Sequence, residues 1–115
     1  MTAPRPGRAV RGSRTGRQIM VALDLLGRRW ALRILWELRD GRPASFRELR
    51  ERCDQMSTSV LNQRLAELRD AGLVNTGAEG YLLTRTGKDL LGALAPLDSW
   101  AKRWGAAQGF RGQRS

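Results

Sequence analysis

The sequence predicts a mainly α-helical domain that carries one small β-hairpin, and three observations lead to this prediction. Apolar residues recur at helical spacing through most of the chain. Residues that favour helix caps precede several of these segments, and glycines follow them. Two short β-prone runs within residues 72–84 interrupt the helical pattern once. The order of four helices, a hairpin and a last helix is that of a winged helix-turn-helix with flanking helices.

The first helix is predicted over residues 18–27, and the second, central and buried, over residues 29–41. Each ends at a glycine and carries apolar residues on one face. These residues are Ile19, Leu23 and Leu26 in the first helix and Trp30, Ile34, Leu35 and Leu38 in the second.

Two shorter helices form the predicted helix-turn-helix. Ser45 is a suitable N-cap for the third helix, and Glu48 completes a capping box in which each side chain satisfies a free backbone N–H. Ser57 is the expected cap of the fourth helix, which should end near Gly72. The fourth helix is the longer of the two, as expected of the recognition helix in such a motif.

The hairpin and the last helix follow. The runs Leu73-Val74 and Tyr81-Leu82-Leu83 are separated by the turn-rich stretch NTGAEG. Thr84 is expected to cap a last helix that reaches about Trp104 and that Pro96 should kink or split. This helix carries more Leu and Trp than a terminal helix can bury against so small a core.

Charge divides the 115 residues into three predicted parts. A flexible arm over residues 1–17 has five arginines and no acid, the folded domain covers residues 18–104, and residues 105–115 form a flexible basic tail. The net charge is +10, and half of it lies on the arm. Such an arm suits nucleic acid, because neutralised phosphates release counterions. The alternative is a solvated basic leader in an arginine-rich protein.

Other classes of protein find little support in the sequence. No apolar run is long enough to cross a membrane. A single cysteine, Cys53, cannot form an internal disulfide, so the cytoplasm is the expected location. A DNA-binding function would add association with the nucleoid. There is no histidine, and no carboxylate pair or glycine-rich phosphate loop has catalytic spacing. We therefore expect neither an enzyme, nor a metal site, nor a cofactor.

The fourth helix has one apolar and one neutral polar face. On a helical wheel its leucines cluster on one side, and Thr58, Ser59, Asn62 and Gln63 lie on the other side or on its shoulder. Side chains that both donate and accept hydrogen bonds match the base edges of the major groove, so these four are the predicted base contacts. The alternative is that they are ordinary capping and solvated residues.

Arginines near this helix divide into two groups. Arg64 falls on the core side of the wheel, so we expect it to pair with an acid such as Glu48 or Glu67 rather than to read a base. The better candidates for phosphate contact are Ser45, Arg47, Arg28 and Arg29. Each of them could instead be an ordinary surface residue.

With these elements placed, the chain resembles the HxlR-type subgroup of bacterial MarR-like winged-helix transcriptional regulators. The similarity covers residues 19–104, and the joint pattern is specific although each piece alone is weak. The matching segments are LGRRWALRILWEL (26–38), SFRELRERC (45–53), MSTSVLNQRLAELRDAGLV (56–74), YLLTRTGKDLL (81–91) and LDSWAKRW (97–104).

The resemblance implies a homodimeric, sequence-specific regulator that binds double-stranded DNA. Its dimer interface would be formed by the first and last helices, in agreement with the surplus of Leu and Trp. Two-fold symmetry would place half-sites about 10 bp apart, or a multiple of this, in a pseudo-palindromic operator. The implied interface residues are Ile19, Leu23, Leu94, Leu97, Trp100 and Trp104.

Two departures from the family pattern matter. The wing between Asn75 and Gly80 is short and contains Glu79 but no basic residue, so minor-groove contact by the wing is doubtful and the arm is the alternative. Redox-active members carry a cysteine ahead of the first helix, and this chain has none there. Thiol sensing is therefore not transferred to Cys53.

Two other functions remain open from the sequence. A winged-helix adaptor or anti-regulator would use the same exposed helix to bind a protein, and the acidic wing supports it. Non-specific binding of RNA or the chromosome would use the arm alone. A small-molecule effector could occupy apolar space between the terminal helices, although such residues more often form an interface. The operator, the regulated genes and the direction of regulation are not predicted.

Overall fold

A computed structural model of the protein describes residues 17–109. The predicted arm, apart from Arg17, and residues 110–115 of the predicted tail lie outside the described residues. Five helices and one two-stranded antiparallel sheet confirm the predicted fold class. The elements are α1 Gln18–Leu26, α2 Ala31–Glu37, α3 Phe46–Arg52, α4 Thr58–Asp70, β1 Val74–Gly77, β2 Gly80–Leu83 and α5 Arg85–Ala107.

Helix α2 lies at the centre of the core, as predicted. Ile34, Leu35 and Leu38 are completely buried and pack in one cluster with leucines of α3 and α4. Full burial of each such side chain is worth about 1.5–3 kcal/mol. The helix is shorter than predicted because Trp30 has a left-handed backbone (φ 76°), which places it outside the helix, and Leu38 leaves helical geometry at the other end.

The predicted caps hold the helix-turn-helix in place. The Ser45 hydroxyl accepts from the Glu48 N–H at 3.0 Å, and the Glu48 carboxylate accepts from the Ser45 N–H at 2.8 Å, which confirms the capping box. The Ser57 hydroxyl accepts from the Val60 N–H at 3.3 Å at the beginning of α4. Between the helices, Arg50 donates from Nε to the Met56 carbonyl at 2.7 Å and so closes the turn from inside.

The hairpin is longer than its two apolar runs. Its strands pair from Val74 with Leu83 to Gly77 with Gly80, which leaves a two-residue turn. Ala44, just before α3, exchanges two backbone hydrogen bonds with Tyr81, of 2.8 and 2.9 Å. The hairpin is thereby attached to the beginning of the helix-turn-helix as well as to the end of α4.

Helix α5 runs without interruption from Arg85 to Ala107, so Pro96 does not split it, and the alternative of a kink at Pro96 stays a prediction. Proline removes the hydrogen bond to the carbonyl of the residue four positions earlier, which is Gly92. Both residues are exposed, so water can satisfy that carbonyl. The helix also ends three residues beyond the predicted end. None of the helices within residues 17–109 combines the length and apolarity needed to cross a membrane.

The beginning of α5 packs directly on the backbone that follows α4. The Thr84 hydroxyl donates to the Gly72 carbonyl at 2.6 Å and accepts from the Gly87 N–H at 3.0 Å. The Thr84 N–H donates to the Leu73 carbonyl at 3.0 Å. Gly87 then lies so close that a Cβ atom there would overlap the Leu73 carbonyl oxygen. Glycine at this position sets how closely α5 approaches the hairpin.

This contact predicts opposite effects of the same substitution at two glycines of α5. Gly87→Ala should lower the free energy of unfolding by about 1–3 kcal/mol, because the methyl group forces the backbones apart. Gly92→Ala is the matched control, since a Cβ there meets nothing within 4 Å. It should raise stability by up to about 1 kcal/mol through helix propensity. Thermal and urea denaturation measure both, and equal effects at the two sites would contradict the proposed contact.

Candidate nucleic-acid interface

Helix α4 presents a polar face to solvent. Leu61, Leu65 and Leu68 are buried in the core. The four residues predicted to contact bases are all exposed on the other side: Thr58, Ser59, Asn62 and Gln63. The structure thus brings them together on the first two turns of one helix, and their contact with bases stays a prediction.

The cap of α4 already engages one of these side chains. The Ser57 and Ser59 hydroxyl oxygens lie 3.0 Å apart, and Ser57 also accepts from the Val60 N–H. A hydroxyl has one donor and two acceptor positions, so Ser59 keeps free hydrogen-bonding capacity towards solvent.

A buried carboxylate anchors α4 at the boundary between its polar and its apolar face. The Glu67 side chain is only 4% exposed. Arg28 Nη1 lies 2.9 Å from Glu67 Oε2, and Arg64 Nη1 lies 3.2 Å from Glu67 Oε1. Arg64 also donates from Nε to the Arg29 carbonyl at 2.8 Å. The predicted scaffold role of Arg64 is confirmed, with Glu67 as its acidic partner. We call Glu67, Arg28 and Arg64 the Glu67 cluster.

Arg28 occupies a position that differs from the one predicted. As a phosphate candidate it was expected at the surface, whereas its side chain is 17% exposed and lies between Glu67 and Asp24, the latter 3.7 Å away. Its contact with Glu67 is an ion pair without hydrogen-bond alignment. The physical reason is that the buried Glu67 carboxylate needs compensating positive charge. A phosphate would have to compete with Glu67 for Arg28.

The other three phosphate candidates are exposed. Arg47 is 89% exposed, and its 3.6 Å pair with Glu51 is a surface pair of little strength. The guanidinium of Arg29 lies 6.0 Å from the centre of the Trp30 ring, and the Arg29 carbonyl contacts α4 through Arg64. Ser45 is exposed at the beginning of α3. Their side chains are therefore accessible to a ligand, and their predicted phosphate contacts remain untested.

Apolar side chains of the first and last helices remain uncovered. Trp100 and Trp104 stack with ring centres 5.6 Å apart and with planes inclined by 7°. Leu94 is partly buried. The other predicted interface residues are about half exposed or more: Ile19 61%, Leu23 55%, Leu97 50%, Trp100 49% and Trp104 47%. A surface of this composition favours a contact with another chain.

Comparison with known proteins decides the family. The sequence profile of the HxlR-like helix-turn-helix family matches residues 25–109. The protein belongs to the HxlR family. An HTH-type transcriptional regulator of Methanothermobacter thermautotrophicus is 29% identical over 104 residues, which cover 84% of this chain and 79% of the relative.

Solved structures agree with this assignment. The quinone-bound YodB of Bacillus subtilis matches with a TM-score of 0.69 and 32% identity, over 75% of this chain and 97% of YodB. A possible HxlR family transcriptional factor of Thermoplasma volcanium matches with a TM-score of 0.65 and 28% identity, over 74% of this chain and 82% of that one. This HxlR-family protein is thus a DNA-binding transcriptional regulator with a winged helix-turn-helix fold.

The wing of this HxlR protein offers little positive charge. The turn residues Ala78 and Glu79 are exposed, and no basic residue lies between Asn75 and Gly80. Phosphate attraction at the tip of the wing would therefore have to come from backbone N–H groups alone. The predicted weakness of minor-groove contact by the wing follows from this charge distribution and stays a prediction.

An apolar groove of about 540 Å³ lies between α1, the end of α4 and the beginning of α5. Val21, Leu25, Leu73 and Leu90 line it together with several polar side chains. No group of three or more His, Cys, Asp or Glu side chains within residues 17–109 is placed to hold a metal ion. The walls of the groove thus offer mainly apolar side chains.

The single thiol of this HxlR protein is buried. Cys53 has no exposed surface and packs in the core. Burial raises the pKa of Cys53 from 9.0 to about 11, against a smaller lowering by Arg33. Because the thiolate is the reactive form, this environment makes the thiol inert.

We predict that Cys53 reacts with a neutral alkylating reagent far more slowly in the native protein than in denaturant. At pH 8 a thiol of this pKa is only about 0.1% thiolate, and burial blocks access as well. The raised pKa also favours folding below pH 9, an effect lost as the pH rises from 9 to about 11. Alkylation followed by mass spectrometry measures the rate, and rapid native modification would contradict the buried position.

Proposed function

We propose that the protein is a sequence-specific regulator that binds double-stranded DNA as a homodimer on a pseudo-palindromic operator. The observation that carries this proposal is the neutral polar face of α4, which is exposed along its first two turns. The cap at Ser57 and the Glu67 cluster hold this face rigidly on the core. Rigid placement matters, because hydrogen bonds to base edges depend on geometry.

Base readout is assigned to the exposed face of α4. Asn62 and Gln63 can each accept and donate at once, which matches the N6 and N7 edge of adenine. Thr58 and Ser59 can serve as donor or acceptor at any base. Their place on the first turns agrees with the usual docking of recognition helices, whose N-terminal residues contact the bases.

Phosphate contacts are assigned to the side chains that flank α4. Arg47, Arg29 and Ser45 are exposed and bear donors, while Arg28 contributes only if phosphate displaces Glu67. The basic residues of the arm would add affinity that falls steeply with salt. Such contacts set the register of the protein on the duplex but carry no sequence information.

The homodimer is assigned to the uncovered apolar surface of α1 and α5. Half-exposed Leu97, Trp100 and Trp104 lie along one stretch of α5, and Ile19 and Leu23 lie on α1. A two-fold contact through this surface would give the dimer two α4 helices for successive major grooves.

We further propose that a small-molecule effector binds in the apolar groove. YodB, which is 32% identical to this chain, has been seen with a quinone bound. A planar apolar molecule would find aliphatic walls of α1 and α5 in the groove of about 540 Å³. Binding there would act on the relative position of α1 and α4.

The competing function is a winged-helix adaptor that uses α4 to bind another protein. Its support is Glu79 at the tip of a wing without basic residues. Affinity for random duplex at two salt concentrations separates the two functions. A steep fall with salt supports DNA binding, and absence of binding at low salt supports the adaptor. Binding that needs only residues 1–17 would support non-specific binding by the arm.

Asn62→Ala combined with Gln63→Ala should flatten sequence preference with little change in the salt dependence of binding. Each bidentate contact is worth about 1–3 kcal/mol of discrimination. Fluorescence anisotropy with the selected operator and a scrambled duplex measures the difference. Gln108→Ala, an exposed change at the end of α5, is the matched control and should keep the preference. Full operator preference in the double variant would refute the assignment of readout to α4.

Leu97→Glu combined with Trp100→Glu should produce a folded monomer that binds the operator much more weakly. Both side chains are about half exposed, so the core of the single chain does not depend on them. Charge at a buried contact opposes association. Sedimentation equilibrium measures the mass, and Ser99→Glu, two residues along from Leu97 and about 200° around the helix, is the control. A dimer that survives the double change would place the interface elsewhere.

A further inference from the structure

The side chain of Gln63 has a partner on its own helix. Its Nε2 lies 3.4 Å from Oε2 of Glu67, one helical turn further along α4. Gln63 is exposed, whereas Glu67 is buried. A long hydrogen bond of this kind contributes little to stability, but it joins a predicted base contact to the interior.

The Glu67 carboxylate cannot readily turn away from this contact. Arg64 holds Oε1 at 3.2 Å and Arg28 faces Oε2 at 2.9 Å, so both oxygens have a cationic neighbour. Arg64 is itself fixed by the Arg29 carbonyl. A carboxylate between two guanidinium groups presents only acceptors to its remaining neighbour. The neighbour that remains is the amide of Gln63.

An acceptor at this place decides which way the Gln63 amide points. With Nε2 towards Glu67, the amide oxygen and the second N–H are directed away from Glu67. If the amide rotated by 180°, its oxygen would meet the carboxylate oxygen, and two acceptors at that distance repel each other. The exposed edge of Gln63 is therefore one acceptor beside one donor.

This edge distinguishes the two purines. Adenine offers its N6 amine as donor and N7 as acceptor, which the fixed amide can bind together. Guanine offers O6 and N7, both acceptors, so it would bind well only if the amide turned its nitrogen outward. That orientation is the one Glu67 opposes.

We propose that Glu67 fixes the amide of Gln63 so that Gln63 reads adenine rather than guanine in the major groove. Glu67 is then a positioning residue for sequence specificity as well as part of the scaffold. The proposal rests on the proposed function, because it requires that α4 enters the major groove of DNA.

The first experiment identifies the base pair that Gln63 reads. Duplexes are selected from a random pool with the full-length protein and with Gln63→Ala, and the position whose preference disappears in the variant is assigned to Gln63. Adenine at that position supports the proposal, and any other base overturns it. Asn62→Ala is the matched control and should leave the preference at that position intact. If the wild-type protein selects no consensus at all, the proposed function fails and the inference fails with it.

The second experiment tests the role of Glu67 by a ratio that does not depend on the folded fraction. Dissociation constants are measured for two operators that differ only by adenine or guanine at the Gln63 position. We expect the wild-type protein to prefer adenine at least about fivefold. In Glu67→Gln the ratio should fall close to one, because the single amide oxygen is drawn to the arginines and no longer opposes rotation of Gln63.

A purely structural role for Glu67 predicts a different outcome. Ile34→Val removes one buried methyl group of α2, outside the Glu67 cluster, so it should lower the melting temperature and leave the adenine preference unchanged. If Glu67→Gln does not fold, Glu67→Asp keeps the charge between the arginines but withdraws the carboxylate from Gln63, and the same loss is expected. An adenine preference that survives the change at Glu67 overturns the proposal while the proposed function stands.

Discussion

The ion pairs of Glu67 are the interaction on which the position of helix α4 depends. Glu67 is the one charged side chain in the buried core of the described residues, and it bonds arginines from two different parts of the chain. Transfer of three charges out of water is costly, and their mutual attraction offsets that cost only in good geometry. Loss of one partner of a buried pair costs about 3–5 kcal/mol, because a charge is left without compensation. An apolar contact, which requires less precise geometry, could have held α4 with similar strength. The charged cluster adds direction, since it ties α4 to the segment between α1 and α2 at a defined rotation about the helix axis.

This rotation links packing to recognition. A helix with leucines on one face could turn by some degrees on an apolar core at little cost, because dispersion contacts are not directional. Hydrogen bonds are directional, and the bond from Arg64 to the Arg29 carbonyl fixes the edge of α4 that adjoins the leucines. The polar side chains on the opposite face are consequently held within a narrow range of angles. The HxlR fold of this chain thus combines a non-specific apolar anchor with a specific charged one on a single thirteen-residue helix.

Much of the fold follows from local sequence rules, and the exceptions have identifiable physical causes. The caps at Ser45, Ser57 and Thr84 were predictable because each acts within one turn of its own helix. The shortness of α2 was not, since a left-handed backbone is uncommon for a residue such as Trp30 and no local rule predicts it there. The course of α5 through Pro96 depends on exposure of that turn, which no local rule supplies.

The candidate site was predictable to a similar degree. The wheel placed Thr58, Ser59, Asn62 and Gln63 away from the leucines, and it placed Arg64 in the scaffold. It could not show that Glu67 is buried, nor that Arg28 turns inward to meet it across 39 residues of sequence. The available signal was the position of Glu67 on the wheel, next to Val60 and Arg64, where a solitary acid needs positive charge. Similarly, the tight approach at Gly87 is visible only once the Leu73 carbonyl is in place.

The two hydrogen bonds between Ala44 and Tyr81 give the wing a mechanical property. A hairpin with four residues per strand is marginally stable by itself, and a pivot at its base would let it swing. Here the second strand is fastened, halfway along, to the residue that precedes the cap of α3. Any tilt of the wing must therefore break those bonds or move the beginning of α3 with it. The wing and the beginning of the helix-turn-helix consequently move together, so a displacement of the hairpin also displaces the capped end of α3.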